Sequence, residues 1–149
     1  MPATVSSLLK AKGHDVWKVS PSASVYEAAQ LMVDKKVGAV LVATGLRVVG
    51  VLSERDYVSR MILPGRNARD VQVSEIMTSP VVVVTGSHTV DECMRLVTKR
   101  RVRHLPVVDG DNEQVVGIIS IGDLVNSIIG EQGEIIQHLE TYITGREPV

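Results

Sequence analysis

The stretch Gly50-Val51-Leu52-Ser53-Glu54-Arg55-Asp56 returns later in the chain as Gly117-Ile118-Ile119-Ser120-Ile121-Gly122-Asp123. An apolar run ending in serine, with aspartate three residues on, predicts a strand running into a capped helix. Its recurrence makes the chain a repeat. Upstream, Val25, Glu27, Leu31, Val37 and Val42 match Val90, Glu92, Leu96, Val102 and Val107 at one constant offset, while the block from Gly50 to Asp56 matches at an offset two residues longer. The extra residues fall in a loop. Thr44-Gly45-Leu46 separates predicted strands 39–43 and 47–52, and the longer Asp109-Gly110-Asp111-Asn112-Glu113 separates strands 104–108 and 114–119. Hairpin loops are where insertions are tolerated.

Each copy reads as strand, helix, strand, strand, helix. The first strands are predicted at 16–19 and 81–84, and the first helices open with capping boxes, Ser24-x-x-Glu27 and Thr89-x-x-Glu92. The fold class is therefore α/β, with two tandem β-α-β-β-α repeats. A sheet with two helices on one face leaves the other face apolar, so the copies should pack face to face about a pseudo-twofold axis. Residues 1–69 are expected to hold the first repeat and its linker, Leu63-Pro64-Gly65-Arg66-Asn67, where Pro and Gly stop a helix. Residues 70–149 hold the second repeat and a C-terminal helix, whose apolar positions Leu124, Ile128, Ile129, Ile135, Ile136, Leu139 and Ile143 predict a self-association face and a homodimer.

Composition narrows the function. With 149 residues the chain can bury a full core, and with no Phe and only 3% aromatics that core must be Val, Ile, Leu, Ala and Met. A net charge of -1 supplies no global field for a polyanion. The one basic run, Lys99-Arg100-Arg101-Val102-Arg103-His104, lacks stacking aromatics, which weighs against nucleic acid as a partner. No apolar run approaches the ~18 residues of a membrane span. The single cysteine, Cys93, excludes an internal disulfide, and no leader pattern is present, so a cytoplasmic address is expected. Cys93 falls on the apolar face of a predicted helix and is expected to be structural. No phosphate-binding Gly-x-x-x-x-Gly-Lys loop, His-Glu-x-x-His or Cys-x-x-Cys occurs, and no catalytic cofactor or enzyme activity is expected.

The serine and aspartate motif carries two meanings on local grounds. Serine at the cap and aspartate at the third helical position make an ordinary helix cap. The same geometry offers free amides and a hydroxyl to a phosphate or ribose oxygen, and a carboxylate to the two ribose hydroxyls.

These residues, together with Val73-Ser74-Glu75-Ile76-Met77-Thr78, Arg103-His104-Leu105-Pro106-Val107-Val108-Asp109 and Val115-Val116-Gly117-Ile118-Ile119-Ser120, resemble the paired cystathionine-β-synthase (CBS) domain, or Bateman module, over about residues 5 to 126. The resemblance implies an adenosyl ligand (AMP, ADP, ATP, NAD or S-adenosylmethionine) at up to two sites between the copies. It implies one site made by Val51, Ser53 and Asp56 with Met77, Val82, Val102, Arg103 and His104. Its mate would take Ile118, Ser120 and Asp123 with Trp17, Lys18, Val37, Gly38 and Ala39. Gly38-Ala39 stands where the second copy has Arg103-His104, so phosphate-binding charge is concentrated at one entrance; Leu41 stands where the family's proline, here Pro106, is expected. The implied role is a regulatory module acting on a client protein. The competing expectation is a nucleotide-independent adaptor that docks a client through its apolar tail and basic run.

Overall fold

The computed structural model describes residues 3–110 and 114–130. Within them the elements run α1 (Val5–Lys12), β1 (Lys18–Val19), α2 (Val25–Lys35), β2 (Ala39–Thr44), β3 (Arg47–Ser53) and α3 (Glu54–Tyr57), which widens into a π-helical turn, Val58–Ile62. After a short 3-10 turn, Val73–Glu75, come α4 (Val90–Arg100), β4 (His104–Val108), β5 (Val115–Ser120) and a helix over 121–130, α5. Ile135, Ile136, Leu139 and Ile143 lie outside the described residues.

The two copies repeat one another in detail. α2 buries Val25, Ala28 and Met32, and α4 buries Val90, Cys93 and Val97, the same spacing on one helical face. Both helices end in a left-handed residue, Lys36 at φ 56 and Arg101 at φ 54. β2 pairs antiparallel with β3 and β4 with β5, and each hairpin carries one irregularity, at Val42/Ala43 and Val107/Val108. The expected capping boxes differ. Thr89 and Glu92 close theirs in both directions, whereas Ser24 accepts from the Glu27 N–H at 3.1 Å and the Glu27 carboxylate stays in solvent.

The first strands are shorter than the sequence predicts. Only Lys18 and Val19 of 16–19 form β1, parallel to Leu41 and Val42 of β2. Of 81–84, only Val84 pairs, bridging to Val107 with N–H···O bonds of 3.0 and 2.9 Å through Pro106 and Val108. Pro106 has no N–H to donate, which limits ladder formation on that side.

An exchange of opening segments joins the copies, and the repeat alone did not disclose it. Val5 and Leu9 of α1 are buried in the second copy's core with Val84, Val90, Cys93, Leu105 and Ile119. Val71, Val73 and Ile76 are buried in the first copy's core with Val25, Met32, Val42 and Leu52. Matching backbone bonds fix both crossings: Val5 N–H to His88 O and Val90 N–H to Ala3 O on one side, Val25 N–H to Val71 O and Val73 N–H to Ala23 O on the other. Each fully buried Val or Leu contributes about 1.5–3 kcal/mol, so each core draws part of its stability from the other copy's opening segment.

Candidate functional site

Exchange brings each opening segment onto the strand of the opposite motif. Thr78, just past the 3-10 turn, bridges Val51 of β3 through Thr78 N–H to Val51 O at 2.8 Å and Val51 N–H to Thr78 O at 3.1 Å. Its hydroxyl donates to Asp56 Oδ1 at 3.1 Å. The other carboxylate oxygen, Oδ2, accepts from the Ser53 N–H at 2.9 Å and the Ser53 hydroxyl at 3.1 Å, while the Asp56 N–H donates to Ser53 Oγ at 3.3 Å. Asp56 is 8% exposed, the one buried charged residue among those described. Helix cap and candidate ligand group are thus the same carboxylate.

Beside it opens a cavity of about 600 Å³. Val51, Val81, Val82 and Val102 give it apolar walls; Ser53, Asp56, Ser59 and Thr78 give it polar ones; Glu54, Arg55, Arg60, Arg101, Arg103 and His104 bring charge, and Gly38 and Pro80 complete the lining. That volume and mixture suit a small organic ligand. Of the residues expected here from the sequence, Val51, Ser53, Asp56, Val82, Val102, Arg103 and His104 come together. Met77 does not line the cavity: its side chain lies over Gly50, where a Cβ would come within 2.5 Å of the sulfur, and it packs against the first copy's core.

Glu54, Arg55, Ser59, Arg60, Thr78, Pro80, Val81 and Arg101 also line the cavity and were not expected from the sequence. Arg101 and Arg55 were visible as members of the basic run and of the repeated motif, but only the packing of the two copies brings them to one cavity. Arg60 is spoken for, its Nη1 donating to Ile76 O at 2.7 Å and Met77 O at 3.0 Å. Arg55, Arg101 and Arg103 are exposed and make no side-chain hydrogen bond or ion pair among the described residues. His104 is half-buried, and burial, then the charge of Lys12, holds its imidazole below the usual range, with Arg103 adding to the effect and Asp123 and Glu54 opposing it.

The pseudo-symmetric mate is built differently. Asp123 repeats the cap, accepting from the Ser120 N–H at 2.8 Å and donating its own N–H to Ser120 Oγ at 3.2 Å. Where Thr78 serves Asp56 and Val51, the Lys12 ammonium serves Asp123 Oδ2 at 2.6 Å and Ile118 O at 2.9 Å. Burial raises the Asp123 carboxyl, but the Lys12 and Ser120 hydrogen bonds more than offset it and leave the group below its ordinary value. Trp17 and Val37 pack against the first copy's core, with Lys35 Nζ 4.4 Å over the Trp17 ring. Ala39 is buried, Lys18 is exposed on β1, and Gly38 faces the other cavity, where Glu54 Oε1 lies against its open side.

A further concavity of about 470 Å³ adjoins the first, sharing Pro80 and Val81 and lined by Arg47, Val48, Val49, Ser79, Val83 and Val108. Among the described residues no cluster of His, Cys, Asp and Glu could hold a metal, and no helix is long and apolar enough to cross a membrane.

Comparison with known proteins places this arrangement. The CBS domain model matches residues 9–62 and again 73–130. A mitochondrial CBS domain-containing protein of Arabidopsis thaliana is 34% identical over 95% of this chain and 72% of its own length. A solved structure of a protein with CBS domains from Burkholderia ambifaria superposes with TM-score 0.82 at 44% identity, covering 87% of this chain and 96% of the other. A CBS domain protein from Pyrobaculum aerophilum complexed with AMP superposes with TM-score 0.75 at 25% identity, covering 88% and 98%. With both repeats matched and the fold shared, the chain belongs to the CBS domain family as a paired CBS, or Bateman, module.

Proposed function

We propose that this chain is a regulatory module that binds a phosphorylated adenosine nucleotide in the Asp56 cavity and passes its occupancy to a client protein, with no bond broken. The observation that carries this is the company Asp56 keeps: a buried carboxylate able to accept from ribose hydroxyls, apolar valines for the base, and the exposed guanidiniums of Arg55, Arg101 and Arg103, which make no side-chain hydrogen bond or ion pair among the described residues. The AMP complex of the Pyrobaculum aerophilum relative supports the ligand class.

Charge separates the candidates named from the sequence. AMP, ADP, ATP and NAD bring phosphates to Arg55, Arg101 and Arg103; S-adenosylmethionine brings a sulfonium cation, which these arginines repel. Conversion of occupancy into signal requires the ligand to prefer one arrangement of the copies. A cavity whose walls come from both copies and from Thr78 offers the ligand a route to such a preference. Exposed Val58, Ile62 and Leu63 at the end of α3 offer an apolar surface for a second copy or a client. The buried free thiol Cys93 fits the reducing cytoplasm we assign, although the Arabidopsis relative is mitochondrial by name.

A thermal-shift series tests the ligand class. AMP at 100 times its dissociation constant should add about 2.7 kcal/mol to stability. S-adenosylmethionine and GMP should add far less. Absence of any response to AMP, ADP, ATP or NAD in ligand-free protein would favour the adaptor.

A further inference from the structure

Both aspartates of the repeated motif are met from the opposite copy, but by groups of different charge. Thr78 reaches Asp56 Oδ1 with a neutral hydroxyl and Val51 O with its backbone N–H. Lys12 reaches Asp123 Oδ2 and Ile118 O with one ammonium. The difference has a cause in local structure. The first opening segment forms α1, Val5–Lys12, while the second forms only the 3-10 turn Val73–Glu75. Leu9 and Met77 take equivalent places over Gly117 and Gly50, where a Cβ would meet each side chain at 2.6 and 2.5 Å. Beyond that point the longer helix carries a lysine, not a threonine, to the carboxylate.

Resting on the nucleotide reading above, we propose that Lys12 makes the two pseudo-symmetric sites unequal, by occupying the carboxylate and strand carbonyl of the Asp123 site so that the protein takes one nucleotide per chain, at Asp56. A ribose hydroxyl brought to Asp123 Oδ2 must displace the ammonium's charge-assisted hydrogen bond there, costing a ligand about tenfold in affinity. Around Asp123 the positions equivalent to the cations of the Asp56 cavity offer a phosphate no charge. Gly122, Ser127, Gly38 and Ala39 stand at the positions of Arg55, Arg60, Arg103 and His104. The side chains of Lys12 and Asp123 keep 37% and 24% of their surface, so the pair adds little to folding, and its removal leaves a folded protein in which to look for the site.

Calorimetry with adenosine and with AMP on the wild type, Lys12→Met and Lys12→Arg tests this. Wild type should bind one equivalent of either. Lys12→Met should bind a second equivalent of adenosine, or strengthen a weak second isotherm about tenfold. Lys12→Arg, which keeps the cation, should behave as wild type. A single equivalent for Lys12→Met, or two equal sites in the wild type, overturns the proposal while leaving the nucleotide reading intact. If no variant binds adenosine, AMP, ADP, ATP or NAD, the nucleotide reading fails and this proposal with it, and NMR titration of the Asp123 carboxyl then tests the Lys12 contact alone. A carboxyl that titrates higher in Lys12→Met than in wild type upholds the contact, and an unchanged one overturns it.

Discussion

Thr78 and Asp56 lie on opposite copies of the repeat and are joined by a 3.1 Å hydrogen bond from the Thr78 hydroxyl to Asp56 Oδ1. The bond spans the cavity wall, so the site is assembled only when both copies are in place. It also leaves the carboxylate with three donors before any ligand arrives, two from Ser53 and one from Thr78.

It follows that Asp56→Ala should cost apo stability as well as binding. Loss of the cap removes about 0.5–2 kcal/mol, and the bond from Thr78 about 0.5–1.5 more. Thr78→Val should cost the second amount alone. Urea denaturation without ligand measures both. An Asp56→Ala midpoint equal to wild type would mean that the cap bonds contribute nothing. The sequence set cap and ligand roles against each other, whereas the geometry makes them compatible.

Gly117→Ala probes the exchange. A Cβ there would come within 2.6 and 2.9 Å of the Leu9 methyls, and Leu9 is 2% exposed and buried in the second copy's core. Overpacking of this kind costs about 1–3 kcal/mol. Stability equal to wild type would show that α1 shifts freely on β5.

His104 links pH to stability. Its folded pKa lies below the ordinary 6.5, chiefly through burial and then Lys12, so below that pH the unfolded chain takes up a proton that the folded chain refuses. Stability should therefore fall as pH drops below 6.5 and through the folded pKa, and rise again with pH. Asp123 works in the same direction but lower: its folded pKa is depressed, so its contribution is present above the ordinary 3.8 and lost as pH falls below it. Urea midpoints for wild type and His104→Asn across this range separate the two. An identical slope near neutrality in both proteins would remove His104 from the account. Phosphate bound beside the imidazole should raise its pKa, visible as a shift of the ring proton titration.

Cys93 should be inert in the folded protein. Burial, with a smaller push from Glu92, raises its thiol to about 11. Iodoacetamide at pH 8 should label unfolded protein and leave folded protein unmodified by mass; rapid labelling of the native chain would contradict the buried placement.

Much of the fold was legible because the repeat is written in the residues that make it. Glycine at 50 and 117, serine at 53 and 120 and aspartate at 56 and 123 mark the same strand-to-helix junction twice, and Ser24 and Thr89 mark the start of α2 and α4. Exchange of the opening segments was not legible: Val5 and Val73 are equally apolar, and no local signal says which core receives them. Site composition suffered for the same reason. Arg101 and Arg55 belong to different copies, and their meeting depends on the packing of those copies. Val81 to Val83 read as strand from their β-branched side chains, yet Val84 alone finds a ladder partner beside Pro106.

The central claim is that nucleotide sits at Asp56, and titration of AMP into wild type, Asp56→Asn and Asp123→Asn tests it most directly. Asparagine keeps the size of the side chain but loses one charged acceptor. Asp56→Asn should weaken AMP by about 1.5–3 kcal/mol, or roughly 10- to 150-fold, and Asp123→Asn should leave AMP affinity at the wild-type value. Full AMP affinity in Asp56→Asn, or its loss in Asp123→Asn, would contradict the account.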